Sequence, residues 1–145
     1  MKIMVSACLL GDNVKYNGGN NKNDKLIDFL KDYEIIKVCP ECLGGLSTPR
    51  DSSEIINNRV FTNKNIDVTN EFMLGARKTL EIAKANNIKV AILKKNSPSC
   101  GSDTIYDGTF SHKVVDGDGI TAKLLKENNI IVFDEENYKD IKNEF

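Results

Sequence analysis

Tryptophan is missing from this sequence, histidine occurs once and proline three times. Aromatic residues make up only 7% of the chain, too few to suggest the stacking platforms of single-strand nucleic-acid binders. An excess of charge of one sign is also lacking. Twenty basic and 21 acidic side chains leave a net charge of −1, with no basic face for a phosphate backbone. Nucleic acid is therefore not an expected partner. No apolar run approaches the roughly 20 residues of a membrane span, so a membrane is not expected either. The first ten residues lack the layout of a secretory signal and read as a β-strand. The chain is expected to be cytoplasmic.

What is present fits one folded unit. The 145 residues, 40% hydrophobic and 28% charged, suffice for a single domain over 1–145 with a core that needs no disulfides. Four cysteines, at 8, 39, 42 and 100, stand out. In a reducing compartment such cysteines are better explained by metal binding or catalysis than by disulfides.

Apolar periodicity and turn residues give a coarse map. Strands are expected over 2–7, 34–38, 89–93 and 130–133. Helices are expected over 24–32, 68–86 and 118–128, with Asp67 or Thr69 capping the second. A short polar helix is expected to close the chain. Two β-hairpins interrupt the alternation, one turning at Asn57-Asn58 and one at Asp107-Gly108. Asn86-Asn87 and Asn128-Asn129 each stop a helix just before a buried strand, because Asn tolerates the left-handed conformation. Strand–helix alternation implies right-handed crossovers. The expected fold class is α/β: a small three-layer, Rossmann-like domain with a mainly parallel sheet of four to five strands and two inserted β-hairpins.

The cysteines occupy consistent places in that map. Cys8 follows the first strand, Cys39 the second, and Cys100 lies in the loop after the third. Loops after the strands of a parallel sheet emerge on one edge, where such folds bind ligands. Three cysteines separated by 31 and 61 positions thus converge without a local motif. A [4Fe–4S] cluster on three cysteines keeps one iron free for substrate, since a full set is four. Cys42 completes a C-x-x-C with Cys39 and is a possible extra ligand, which leaves a four-cysteine structural zinc site open. A thioredoxin-like pair at Cys39 and Cys42, or buried structural thiols, are further alternatives.

Neighbouring residues suggest a working site. Glycines 11, 44, 45 and 101 lie beside the cysteines, where backbone comes close to a bulky group or simply turns. Ser97 and Ser99, in a loop stiffened by Pro98, can bond a substrate carbonyl or a cluster sulfur, or else cap the loop. Glu41, in a partly buried loop, suits proton transfer near neutrality, or else a helix start. His112 has no evident partner and reads as a surface residue. Asp116-Gly117-Asp118-Gly119 is too acidic for phosphate and reads as a helix opening. Arg50 can bind an anion or pair with Asp51.

Taken in order, Ser6-Ala7-Cys8-Leu9-Leu10-Gly11, Cys39-Pro40-Glu41, Gly44-Gly45-Leu46 with Pro49-Arg50, Ser97-Pro98-Ser99-Cys100-Gly101, Ile105-Tyr106-Asp107-Gly108-Thr109-Phe110 and Gly117-Asp118-Gly119-Ile120-Thr121-Ala122 resemble the bacterial thiouracil desulfidase family, long a family of unknown function. The resemblance spans essentially the whole chain. It implies a [4Fe–4S] cluster on Cys8, Cys39 and Cys100 with one iron lacking a protein ligand, and a thiolated pyrimidine as small-molecule substrate. Glutamate and serine roles fall on Glu41 and Ser97. The implied activity is a non-redox, hydrolytic desulfuration of 2-thiouracil or a similar base, with release of hydrosulfide. Departures from the family pattern are Cys42, where an apolar residue is expected, and Asn17 and Asn20-Asn21, where Asp and Ser are usual. Two readings from other classes are a zinc-stabilised, non-catalytic binding module and an iron–sulfur redox sensor. A monomer or homodimer is expected.

Overall fold

A computed structural model describes residues 2–144. Four short apolar strands form one parallel sheet: β1 (Lys2–Ser6), β2 (Glu34–Val38), β5 (Val90–Ile92) and β8 (Ile131–Phe133). Their order is β2-β1-β5-β8, with Met4 opposite both Ile36 and Ala91 and with Ala91 opposite Val132. The expected mainly parallel sheet is therefore observed, with four strands. Side chains alternate across it, as strand geometry requires. Met4, Ala91, Leu93 and Val132 pack on one face with Ala83, Ala122 and Leu125, from helices α3 (Thr69–Ala85) and α4 (Ile120–Glu127). Ile3, Val5, Val90 and Ile92 pack on the other, with Leu26 and Leu30 of α1 (Asp24–Leu30) and with Tyr138 and Ile141 of the closing 3-10 segment Tyr138–Glu144. Burial on both faces explains why the strands carry so few polar residues.

The helix stops are as expected. Asn87 and Asn129 adopt φ of 54° and 64°. The N-cap of α3 is Val68, which has no capping side chain; Asp67, one residue earlier, accepts from Thr69 N at 2.9 Å and so satisfies one amide of the first turn. The first hairpin, β3 (Ser53–Ile56) with β4 (Arg59–Thr62), turns through Asn57 and Asn58, both at positive φ.

The second hairpin differs from expectation. β6 (Thr104–Tyr106) pairs with β7 (Val114–Asp116), and Tyr106 lies opposite Val114. Asp107-Gly108 therefore opens a wide loop, 107–113, and does not join two paired strands directly. The reason is tertiary: the amides of Gly108 and Phe110 bond to Glu54, on β3.

A one-turn helix, α2 (Pro40–Leu43), follows β2, so Glu41 does stand at a helix start. The helix lies backbone-to-backbone on α3. A Cβ on Gly75 would stand 1.9 Å from Pro40 O, and one on Gly44 2.0 Å from Glu71 O. Gly44 thus serves a helix crossing and does not make room for a bulky group at the cysteines. Among the described residues no helix is long and apolar enough to cross a membrane.

Candidate active site

The strand order reverses between β1 and β5, which splays their following loops apart at the C-terminal edge of the sheet. A cavity of about 490 Å³ opens there. Cys8, Cys39, Cys100, Glu41 and Ser97 all line it, brought from three different strand ends.

Each cysteine is held by local backbone geometry. Cys8 lies in the 3-10 turn Ala7–Leu10, which ends at Gly11 with φ of 101°. Cys8 O accepts from Gly11 N at 3.2 Å and from Asn21 N at 2.9 Å, folding the polar 12–23 loop over the site. Cys39 caps α2, with Pro40 suited to the first helical position. Cys100 is buried in a loop closed by Gly101 N donating to Ser97 O. The start of α4 secures that loop: Gly119, Ile120 and Thr121 amides donate to the carbonyls of Gly101, Pro98 and Ser99. These are donors that a helix start leaves without partners in its own helix. Gly119 is required for the approach, because a Cβ there would lie 2.5 Å from Ser99 O. The 117–119 stretch does open a helix, and that helix holds the Cys100 loop.

Burial pushes the thiols of Cys39 and Cys100 up to about 12 and raises that of Cys8, where Asn21 and Lys94 pull the other way. A bound cationic centre reverses such a preference and favours thiolates. The polar neighbours suit that form. Ser6 Oγ donates to Cys100 Sγ at 3.6 Å, and the Asn21 side chain bonds Cys8. Among the described residues no three ligating side chains gather round a single-ion position. Three thiols instead stand around a larger space, a donor set and a volume that fit an iron–sulfur cluster with room for a ligand beside it.

Glu41 is tied to Arg50, whose Nε donates to Glu41 Oε1 at 3.1 Å. Burial raises the Glu41 carboxyl, against the pull of the guanidinium. Arg50 thus pairs with Glu41; Asp51, the other partner considered, bonds Lys64. Ser97 Oγ accepts from Cys100 N at 2.6 Å and keeps its own proton to donate.

One expected residue faces elsewhere, and one borders the site without lining the cavity. Ser99 is 1% exposed, and its hydroxyl bonds Thr121 Oγ1 at 3.0 Å, away from the cavity. Cys42 does not line the cavity, and its sulfur lies 3.6 Å from Thr48 Oγ1. Cys42, one helical turn on from Cys39, still hydrogen-bonds the Cys39 thiol. Other residues line the cavity without a local signal. Lys94 is fixed by Glu135 at 2.8 Å, and Glu54 and Tyr106 arrive from the hairpins. His112, read as a surface residue, is exposed, and it also borders the cavity with its ring edge-on to Tyr106 at 5.9 Å.

The profile of the 2-thiouracil desulfurase family matches residues 3–137. The chain belongs to the 2-thiouracil desulfurase family. A Bacillus subtilis relative, the uncharacterized protein YbbK, is 43% identical over 96% of this chain and 99% of its own. The solved structure of the [4Fe–4S]-dependent thiouracil desulfidase TudS superposes with a TM-score of 0.92 at 39% identity, over 99% of this chain and 96% of that one. Family and structural neighbour are both named for an enzyme, in line with the expectation of an enzyme. The resemblance read from the six motifs is thereby borne out, and so is the α/β fold class.

Proposed function

We propose that this desulfurase-family enzyme removes sulfur from a thiolated pyrimidine by hydrolysis, using a [4Fe–4S] cluster held by Cys8, Cys39 and Cys100. The observation that carries the reading is the sharing of one cavity by three strand-end thiols, a buried carboxylate and a loop hydroxyl. With three cysteine ligands, one iron of such a cluster keeps no protein ligand. Bound there, the cluster supplies a soft Lewis acid suited to a sulfur leaving group.

The chain's own groups supply the rest. Arg50 occupies Glu41 Oε1, and Oε2 takes a proton from water, which adds to the thiocarbonyl carbon. The carbon–sulfur bond then breaks, sulfur departs as hydrosulfide, and the carbonyl forms. Thione and water become oxo base and hydrogen sulfide, with no change of oxidation state. Ser97 Oγ–H donates to the ring. Lys94, beside Cys8, offsets the negative charge gathered by the thiolates. A zinc-stabilised module needs Cys42 among the ligands, and Cys42 does not line the cavity that Cys8, Cys39 and Cys100 share. A redox sensor has no use for the carboxylate and hydroxyl that line the cavity.

Glu41→Gln tests the proposal. The variant is expected to keep iron and labile sulfide at wild-type content and to lose turnover by about 100-fold or more, the scale of general-base catalysis. Full activity in that variant removes Glu41 from the chemistry.

A further inference from the structure

One buried side chain at the cavity has no part in this chemistry. Glu54, on β3, is 7% exposed. Its Oε1 accepts from Gly108 N at 2.9 Å and from Phe110 N at 3.1 Å, across 54 and 56 positions of sequence. Both donors belong to loop 107–113 of the other hairpin. That loop is conformationally demanding. Phe110 sits at φ 57°, a region bulky side chains rarely adopt. Gly108 sits at φ 92°, with a Cβ there falling 2.9 Å from Ile55 O. Such conformations persist where surrounding structure imposes them. The sheet core does not, since β7 is exposed along its length. Tyr106, Phe110 and His112 meanwhile line the cavity.

We propose that Glu54 is a positioning residue that latches loop 107–113 over the cavity. The latch sets Phe110 and Tyr106 as the apolar wall against which the flat face of a heteroaromatic ring packs. It thereby favours ring thiobases, which offer a flat aromatic face, over acyclic thioamides. The choice of ring rests on the proposed desulfurase reading. A carboxylate oxygen already bonded to two amides is a geometric anchor, and neither amide belongs to the reacting centre.

The design of the test follows from Oε1 alone carrying both bonds. Glu54→Gln keeps that acceptor and Glu54→Ala removes it. In the full-length protein, Glu54→Ala is expected to speed amide exchange in loop 107–113 by about 100-fold. In the cluster-loaded enzyme it is expected to raise KM for 2-thiouracil by about 10-fold with kcat within about 3-fold, the signature of lost binding. Glu54→Gln restores both. Because the chain has no tryptophan, Phe110→Trp places a single emitter in the wall. Adding Glu54→Ala to that variant is expected to red-shift its emission. Unchanged exchange and emission overturn the latch. A fall in kcat shared by Ala and Gln, with KM unmoved, overturns the positioning role by making the charge part of the chemistry. A wild-type enzyme inert to thiouracil refutes the desulfurase reading, and exchange and emission still decide the latch.

Discussion

Arg50 Nε lies 3.1 Å from Glu41 Oε1, and the two side chains are 8% and 19% exposed. The same guanidinium donates to Val14 O at 2.9 Å, Ser47 O at 3.2 Å and Thr48 Oγ1 at 3.0 Å, while Arg50 N donates to Tyr16 O. One arginine therefore joins the loop after β1, the stretch after α2 and the carboxylate between them. Removing one partner of a buried pair leaves the other uncompensated. Arg50→Ala is expected to cost about 3–5 kcal/mol in urea unfolding, together with most of the activity. Arg50→Lys keeps the charge but loses the planar fork, and is expected to fall between the two.

Cys8, Cys39 and Cys100 line the cavity and Cys42 does not. Serine at any of the first three is expected to abolish the visible absorbance and most of the iron. Cys42→Ser is expected to keep about four irons per chain, the content of a cubane. Iron and labile-sulfide assays on the four variants check this. Loss of metal in all four alike supports a four-cysteine site instead.

Gly119 holds the Cys100 loop through backbone contact. The Cβ of Gly119→Ala meets a carbonyl oxygen, which cannot swing aside as a flexible side chain can. Overpacking of this kind costs about 1–3 kcal/mol. The variant is expected to unfold at lower urea and to lose iron faster to a chelator than wild type does.

Much of this was legible in the sequence because the decisive fact is topological. Cys8 and Cys39 each stand just past an apolar strand and Cys100 in the loop after another, and a parallel sheet gathers such loops by itself. Glu54 and His112, which come from the hairpins, gave no such signal. Glu54 reaches the cavity from a hairpin outside the sheet, and its partners are 54 and 56 residues away. The same bonds made Asp107-Gly108 misleading, because they hold open a loop that the dipeptide alone would close tightly. Ser99 lies off the cavity for a different reason. Adjacent residues in a tight loop face different ways, and the Ser99 hydroxyl is taken up by Thr121.

Asp67 links Arg59 to the start of α3. The Arg59 side chain, at 2.7 Å, and then the Thr69 side chain and amide lower its carboxyl to about 2. A folded-state value below the unfolded one, about 3.9, gives stability that is present above pH 4 and lost as pH falls towards 2. Asp67→Asn is expected to melt below wild type at pH 7, and the two melting temperatures to converge over that window. A gap that stays constant down to pH 2 contradicts the assignment.

The most direct test of the central claim is product analysis with anaerobically prepared, cluster-loaded protein and 2-thiouracil. Released sulfide and uracil should appear in equal amounts, without added reductant or oxidant, and neither should form once the cluster is removed. Iron-loaded protein that releases no sulfide, or protein that carries zinc without labile sulfide, would contradict the account.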